Sequence, residues 1–227
     1  MGVTRRDFLR SATAISVGAL SGVAAYGVGY ERHQLRRLDR DIAVRGLPPS
    51  LDGLRIGMIT DVHHSAVVSA EDVTRAVTML READPDIVVL GGDYISFFDR
   101  GYIGPVAELL TPLANGRHGS FAVLGNHDDE REMPAALASR GFTVLKDQRT
   151  ALTINHERLD LAGIRFWTRT AGEIANVLKG TGGTTILLAH DPRRLAEAAA
   201  LDVQLVLSGH THGGQVIVPA IGAIAGR

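Results

Sequence analysis

Five times between residues 54 and 215 a short apolar run breaks off into glycine, aspartate or histidine, and no other feature constrains the chain as much. The runs are Leu54-Arg55-Ile56-Gly57-Met58-Ile59-Thr60, Asp86-Ile87-Val88-Val89-Leu90, Phe121-Ala122-Val123-Leu124, Thr185-Ile186-Leu187-Leu188-Ala189 and Val203-Gln204-Leu205-Val206-Leu207-Ser208. Each has the length and aliphatic content of a buried strand. Between the first two, Ser69 ahead of Glu71 and Asp72 forms an N-cap for a helix carrying Val73, Ala76, Val77 and Leu80 on one face. Further helices fit residues 103–113, 134–140 and 192–200. Strands that alternate with helices specify an α/β domain. Residues 142–164, with short alternating runs around Asn155-His156-Glu157-Arg158, read as antiparallel hairpins, so the sheet is mixed.

Composition removes whole classes of chemistry. The 227 residues contain no cysteine, which excludes disulfide scaffolds, thiolate zinc sites, iron–sulfur clusters and cysteine nucleophiles. Any metal is therefore held by His, Asp, Glu or Asn. Lys and Arg number 24 against 25 Asp and Glu, for a formal charge of -1. That lacks the basic excess of a phosphate-backbone binder, and no nucleic-acid partner is expected.

The first forty residues stand apart. Thr4-Arg5-Arg6-Asp7-Phe8-Leu9-Arg10 precedes an uncharged stretch from Ser11 to Tyr30 that is rich in Ala, Gly, Ser and Val. Paired arginines followed by Phe-Leu and a weakly apolar segment read as a twin-arginine signal. The segment just meets the ~20 residues that a membrane crossing needs. No clear Ala-x-Ala site closes it, so both a cleaved signal and a retained anchor over residues 11–30 stay open. Arg32, Arg36, Arg37 and Arg40 then form a basic linker. The expected division is a signal or anchor with linker over residues 1–40 and one catalytic-size domain over residues 41–227.

Polar residues cluster where the apolar runs stop. The first strand ends in Asp61-Val62-His63, whose side chains would share one side of an extended chain. The second ends in Gly91-Gly92-Asp93, the third in Gly125-Asn126-His127-Asp128, the fourth in His190-Asp191-Pro192, and the last in Gly209-His210-Thr211-His212-Gly213-Gly214-Gln215. Open α/β sheets bind ligands at the carboxyl ends of their strands. A lone Asp-x-His or Gly-Asp is weak, whereas Gly-Asn-His-Asp and Gly-His-Thr-His-Gly-Gly are far more specific. Imidazole, carboxylate and amide donors suit Mn, Fe, Zn, Co or Ni without selecting among them.

With these motifs in order, the chain resembles the calcineurin-like metallophosphoesterases from about Asp41 onward, in particular an exported bacterial branch with a twin-arginine signal. The resemblance implies an α/β fold in which a two-sheet mixed β sandwich is flanked by helices, with a binuclear metal centre at the strand ends. It implies that Asp61, His63 and His212 hold one divalent ion, that Asn126, His190 and His210 hold the other, and that Asp93 bridges them. It further implies that His127 is a catalytic histidine outside the ligand set and that Asp128 orients its ring. Two cations ~3.5–4 Å apart clamp a phosphate and lower the pKa of a shared water, and a common carboxylate offsets their repulsion. The expected reaction is hydrolysis of a phosphodiester, an envelope lipid or nucleotide-lipid being the candidate substrate. The expected partners are that phosphoester, the twin-arginine export machinery and membrane lipid. The expected location is periplasmic or the outer face of the cytoplasmic membrane. The alternative from another class is a membrane-associated metal-binding protein of the same fold without turnover.

The other notable residues read as ordinary. His64 points away from His63 by the period of a strand. His118 and His156 fall in turns and are expected to be exposed, and Arg165, Trp167 and Arg169 read as surface residues on a loop that could reach the substrate. After His212 only fifteen residues follow, whereas relatives usually continue with further strands, so a chain cut short and an unpaired sheet edge are expected.

Overall fold

The computed structural model describes residues 4–214 together with 217–218 and 222–223, and divides the chain into two units, residues 1–39 and residues 40–227. In the first unit, α1 (Arg5–Gly29) starts at Thr4, whose hydroxyl accepts the Asp7 N–H at 3.2 Å. At ~1.5 Å per residue its 25 residues reach about 37 Å, more than the ~30 Å of a bilayer's hydrocarbon core. The helix is long and apolar enough to cross a membrane, a test that a signal sequence also passes.

The second unit is built on two four-stranded sheets. In the first, β1 (Ile56–Ile59), β2 (Ile87–Leu90), β3 (Ser120–Ala122) and β4 (Thr143–Val144) run parallel in that order. In the second, β5 (Gln148–Ile154) pairs antiparallel with β6 (Glu157–Gly163), and β6, β7 (Thr184–Leu188) and β8 (Leu205–Leu207) are parallel. The β5–β6 hairpin turns on Asn155 and His156, both at positive φ (49° and 68°), as a two-residue turn with the strands' own twist requires. A short antiparallel pair, Ile217–Val218 with Gly222–Ala223, follows.

Period-2 alternation sorts the strand side chains into layers. Ile87 and Val89 of β2 face Leu159 and Leu161 of β6 and Ile186 and Leu188 of β7 in the core between the sheets. Val88, Leu90 and Ala122 point outward under α2 (Ala70–Glu82), α3 (Ile103–Leu110) and α4 (Glu132–Ser139), through Val73, Val77, Val106, Leu110 and Leu137. On the opposite face Ala162, Leu187 and Ala189 meet Ile174 and Ala198 of α5 (Ala171–Leu178) and α6 (Leu195–Ala200). The result is the mixed β sandwich flanked by helices.

Two local readings need correction. Helix α5 (Ala171–Leu178) is absent from the sequence reading. Its signal was the capping box Thr170–Glu173, in which Thr170 accepts the Glu173 N–H at 3.2 Å and Glu173 accepts the Thr170 N–H at 2.9 Å. His118 is half-buried rather than exposed, while His156 is exposed.

Candidate metal and catalytic site

Parallel packing brings the ends of β1, β2 and β3 together, and β7 and β8 of the second sheet deliver their ends to the same edge. Beyond β1, the amides of Asp61, His63 and His64 donate to the carbonyls of Gly92, Asp93 and Tyr94, each at 2.9 Å, so the two loops run side by side. Asp61 and His63 are not extended, as the sequence reading assumed. They sit at φ 54° and 48°, and Asp93, His210 and His212 are likewise left-handed at 54°, 72° and 49°. For residues with a Cβ this conformation costs of order 1–3 kcal/mol each and persists only where surroundings impose it. Left-handed backbone at these positions, rather than the alternation of a regular strand, therefore sets where the side chains point. Gly92 (φ 100°) and Gly125 permit the close approach of the β2 and β3 loops. A Cβ on Gly92 would lie 2.5 Å from the Gly125 nitrogen, and one on Gly125 would run into the Asp93 carboxylate.

Potential ligand atoms gather into three overlapping groups, each with its atoms within 4.8 Å of one another: Asp61, His63 and His212; His63, Asp93 and His127; and Asp93, His190 and His210. Asp93 belongs to two of them. Its Oδ1 accepts the His127 N–H at 2.8 Å, and its Oδ2 lies 3.1 Å from His190 Nε2 and 3.6 Å from His63 Nε2. Asp61 accepts the His210 N–H at 2.9 Å and the Thr60 hydroxyl at 2.8 Å, with its Oδ1 3.4 Å from His212 Nε2. His63 and His212 present their Nε2 atoms 3.2 Å apart.

The donor set fits cations on an observation of its own. Among the described residues, two buried polar atoms of this edge have no hydrogen-bond partner, Asn126 Oδ1 and His190 Nε2. His190 Nδ1 lies 2.8 Å from the Gly91 carbonyl, to which it donates. The neutral ring therefore turns an Nε2 lone pair toward the Asp93 carboxylate, an arrangement favourable only with a proton or a cation between them. Orphaned buried acceptors beside a carboxylate are what metal ligands look like.

Charges follow this crowding. Burial acts to raise the Asp93 carboxyl, but the His190 ring and the His127 amide outweigh it and hold Asp93 below the usual carboxylate range. His190 is raised because Asp93 overcomes the effect of burial. His63 and His210 are lowered, chiefly by burial and then by neighbouring histidines.

His127 lies beside His63 and Asp93, whereas Asp128 does not take the place of an acid orienting its ring. The backbone N–H of Phe97 donates to His127 Nδ1 at 3.0 Å, which fixes the proton of the neutral ring on Nε2. The Phe97 ring packs edge-on against the imidazole at 5.1 Å. Asp128 does not hold that ring. Its carboxylate accepts the amides of Asp93 and Tyr94 at 2.8 Å and of Gly125 at 2.9 Å, because three buried donors with no strand partner claim both oxygens. Burial pushes the Asp128 carboxyl up to about 6.

Several neighbours carried no signal in the sequence. Ser96 Oγ lies 3.3 Å from His63 Nδ1, and Phe166 packs its ring 5.3 Å from His210 and 6.1 Å from His190. Phe97 and Phe98 both have positive φ (52° and 60°), and the sequence offers no glycine or asparagine to announce it. His64 is structural, its Nδ1 2.9 Å from the Val68 carbonyl and its ring against Tyr102.

The pattern described as "Calcineurin-like phosphoesterase" matches residues 54–214, well over half of the chain. The chain belongs to that family. It is 29% identical to the uncharacterized metallophosphoesterase YkuE of Bacillus subtilis, over 98% of this chain and 81% of that one. It is 31% identical to the phosphodiesterase YaeI of Escherichia coli, over 74% of this chain and 64% of that one. It is 32% identical to a transmembrane protein with metallophosphoesterase domain from Danio rerio, over 94% of this chain. The chain spans about half the length of that last relative, 52%. The protein is thus a hydrolase of phosphoric esters, in a family that works with divalent metals.

Proposed function

We propose that the protein is an exported, membrane-associated phosphodiesterase whose centre holds two divalent ions. Asp61, His63 and His212 would hold one, Asn126, His190 and His210 the other, and Asp93 would bridge them. The observation that carries this reading is the position of Asp93 Oδ2, 3.1 Å from His190 Nε2 and 3.6 Å from His63 Nε2, within reach of both proposed groups of ligands. Ions bound there would supply Lewis-acid activation of the phosphoryl group and of a water.

The chain's own residues do the rest. His127, grouped with His63 and Asp93, would donate its Nε2–H to the phosphoryl or leaving-group oxygen. Phe97 fixes that tautomer. Asp128 holds the Asp93 and Gly125 amides and so positions the bridging carboxylate and the Asn126-His127 turn.

The name of the Escherichia coli relative favours a phosphodiester. An envelope lipid or nucleotide-lipid is the proposed source of it. This rests on α1 together with the transmembrane proteins among the relatives. Residues 1–40 are read as a twin-arginine signal or anchor with a linker, and residues 41–227 as the metallophosphoesterase domain, acting in the periplasm or at the outer face of the membrane. The test is elemental analysis alongside hydrolysis of bis(p-nitrophenyl) phosphate with added manganese. The parent should carry two equivalents of metal and hydrolyse the ester, and Asp93→Asn should lose both together. An Asp93→Asn protein retaining two equivalents would refute the bridge.

A further inference from the structure

Four arginines cluster where the β6 and β7 loops border the His190–His210 side of the site, and three of them are committed to acids. Arg165 pairs with Asp147, Arg193 pairs with Asp191 at 2.8 Å, and Arg194 pairs with Glu197 at 3.1 Å. Arg169 differs. Among the described residues its guanidinium has no carboxylate partner. It lies instead over the Trp167 ring at 5.1 Å and the Phe166 ring at 5.9 Å. Glu173, the acid nearest in sequence, is engaged in capping: its Oε2 accepts the Arg169 and Thr170 amides and the Thr170 hydroxyl.

The stack is anchored at both ends. Phe166 packs against His210 and His190, and Trp167 stands edge-on to Phe166 at 4.9 Å while leaving 54% of its surface exposed. The Arg169 carbonyl accepts a bond from Arg194, itself half-buried with its Nε 3.9 Å from Asp191. A guanidinium held against two rings loses little freedom on binding and keeps its planar N–H fork for an anion. It stands one aromatic ring away from two candidate metal ligands.

We propose that Arg169, supported by Trp167 and Phe166, is a specificity residue that binds a second anionic group on the substrate, next to the phosphate being hydrolysed. The inference rests on the phosphoesterase reading above and narrows its substrate class to phosphoesters with a second acidic group close by.

Two p-nitrophenyl phosphodiesters of ethylene glycol, one with its distal oxygen methylated and one with a phosphate on it, break the same bond by attack of water and differ in that distal group alone. The metal-loaded parent should favour the phosphorylated ester in kcat/KM by about tenfold to a hundredfold at low salt, the range of a charge-assisted hydrogen bond pair. Arg169→Gln should collapse that ratio toward unity through KM, and Arg169→Lys should keep part of it. A parent without preference, or a ratio unchanged in Arg169→Gln, overturns the assignment while hydrolysis of both esters leaves the phosphoesterase reading standing. Failure of the metal-loaded parent on both esters sinks both readings.

Discussion

Asp128→Asn tests how the site is held, because its effect should depend on pH in a sense opposite to that of an ordinary ion-paired carboxylate. Asp128 is 2% exposed, its Oδ2 takes the Asp93 and Gly125 amides, and its Oδ1 takes that of Tyr94. An asparagine oxygen can keep the first two, but its amino group then confronts the Tyr94 N–H, a mispairing of about 1–3 kcal/mol. Replacement also removes a charge that burial disfavours. The folded-state pKa of about 6 lies above the ordinary 3.8, so the folded protein binds this proton more readily than the unfolded chain. The group's contribution therefore grows as pH falls through 6 and is complete below 3.8. Linkage between those two values gives the parent about 1.3 kcal/mol between pH 7 and pH 5 that the variant cannot gain. Near pH 7 the mispairing and the relieved charge largely offset each other, leaving the variant within about 2 kcal/mol of the parent. Urea unfolding of both proteins in chelator at pH 7 and pH 5 reads the difference directly. A parent advantage that stays flat or shrinks on acidification would show that Asp128 is a stabilised carboxylate, and the argument from burial would fail.

On the proposed role, which puts the ring beside the phosphate and outside the ligand set, His127→Ala should keep the parent's metal content and lose about 10²–10⁴-fold in turnover; metal loss equal to that of Asp93→Asn would make His127 a ligand. Gly125→Ala should lower both metal content and melting temperature, because its Cβ would meet the Asp93 carboxylate and lie 2.6 Å from the Asp93 nitrogen, neither of which can move freely. A Gly125→Ala protein with the parent's melting temperature and metal content refutes that packing. Replacing Arg5 and Arg6 together by Lys keeps the charge ahead of α1 but removes the paired signal, so the protein should stay in the cytoplasm with its metals bound. Cell fractionation checks this, and a Lys-Lys variant exported as well as the parent makes the segment an ordinary secretion signal or anchor.

The strands were legible because burial on both faces leaves a continuous aliphatic run, as in Ile87-Val88-Val89-Leu90, which no turn or surface segment can afford. Helix α2 was legible through its Ser69 cap and its apolar stripe. Short α5 was not, and neither was the reason Asp61 and His63 converge. Strand geometry offered an easy answer for that pair. The structure uses left-handed backbone instead, held in place by hydrogen bonds to residues 92–94 of a neighbouring loop. Local sequence holds no record of such a partner. The two roles assigned to Asp128 diverge for the same reason, since the three amides that claim it include two from a loop more than thirty residues away.

The sequence by itself determined which chemistry was possible. With no cysteine and with His, Asp and Asn concentrated behind apolar runs, a metal site of oxygen and nitrogen donors at the strand ends follows from residue type and periodicity, which are local properties. Tertiary structure alone decided which atom faces which: that Asp93 Oδ2 stands close to both His190 and His63, that the Phe97 amide fixes the His127 proton on Nε2, and that Arg169 is left against two aromatic rings with no acid partner among the described residues. Those outcomes depend on backbone atoms from loops distant in sequence meeting at one edge of two sheets, and a donor or acceptor on the main chain is the same in every residue, so no choice of side chain can announce where it will point.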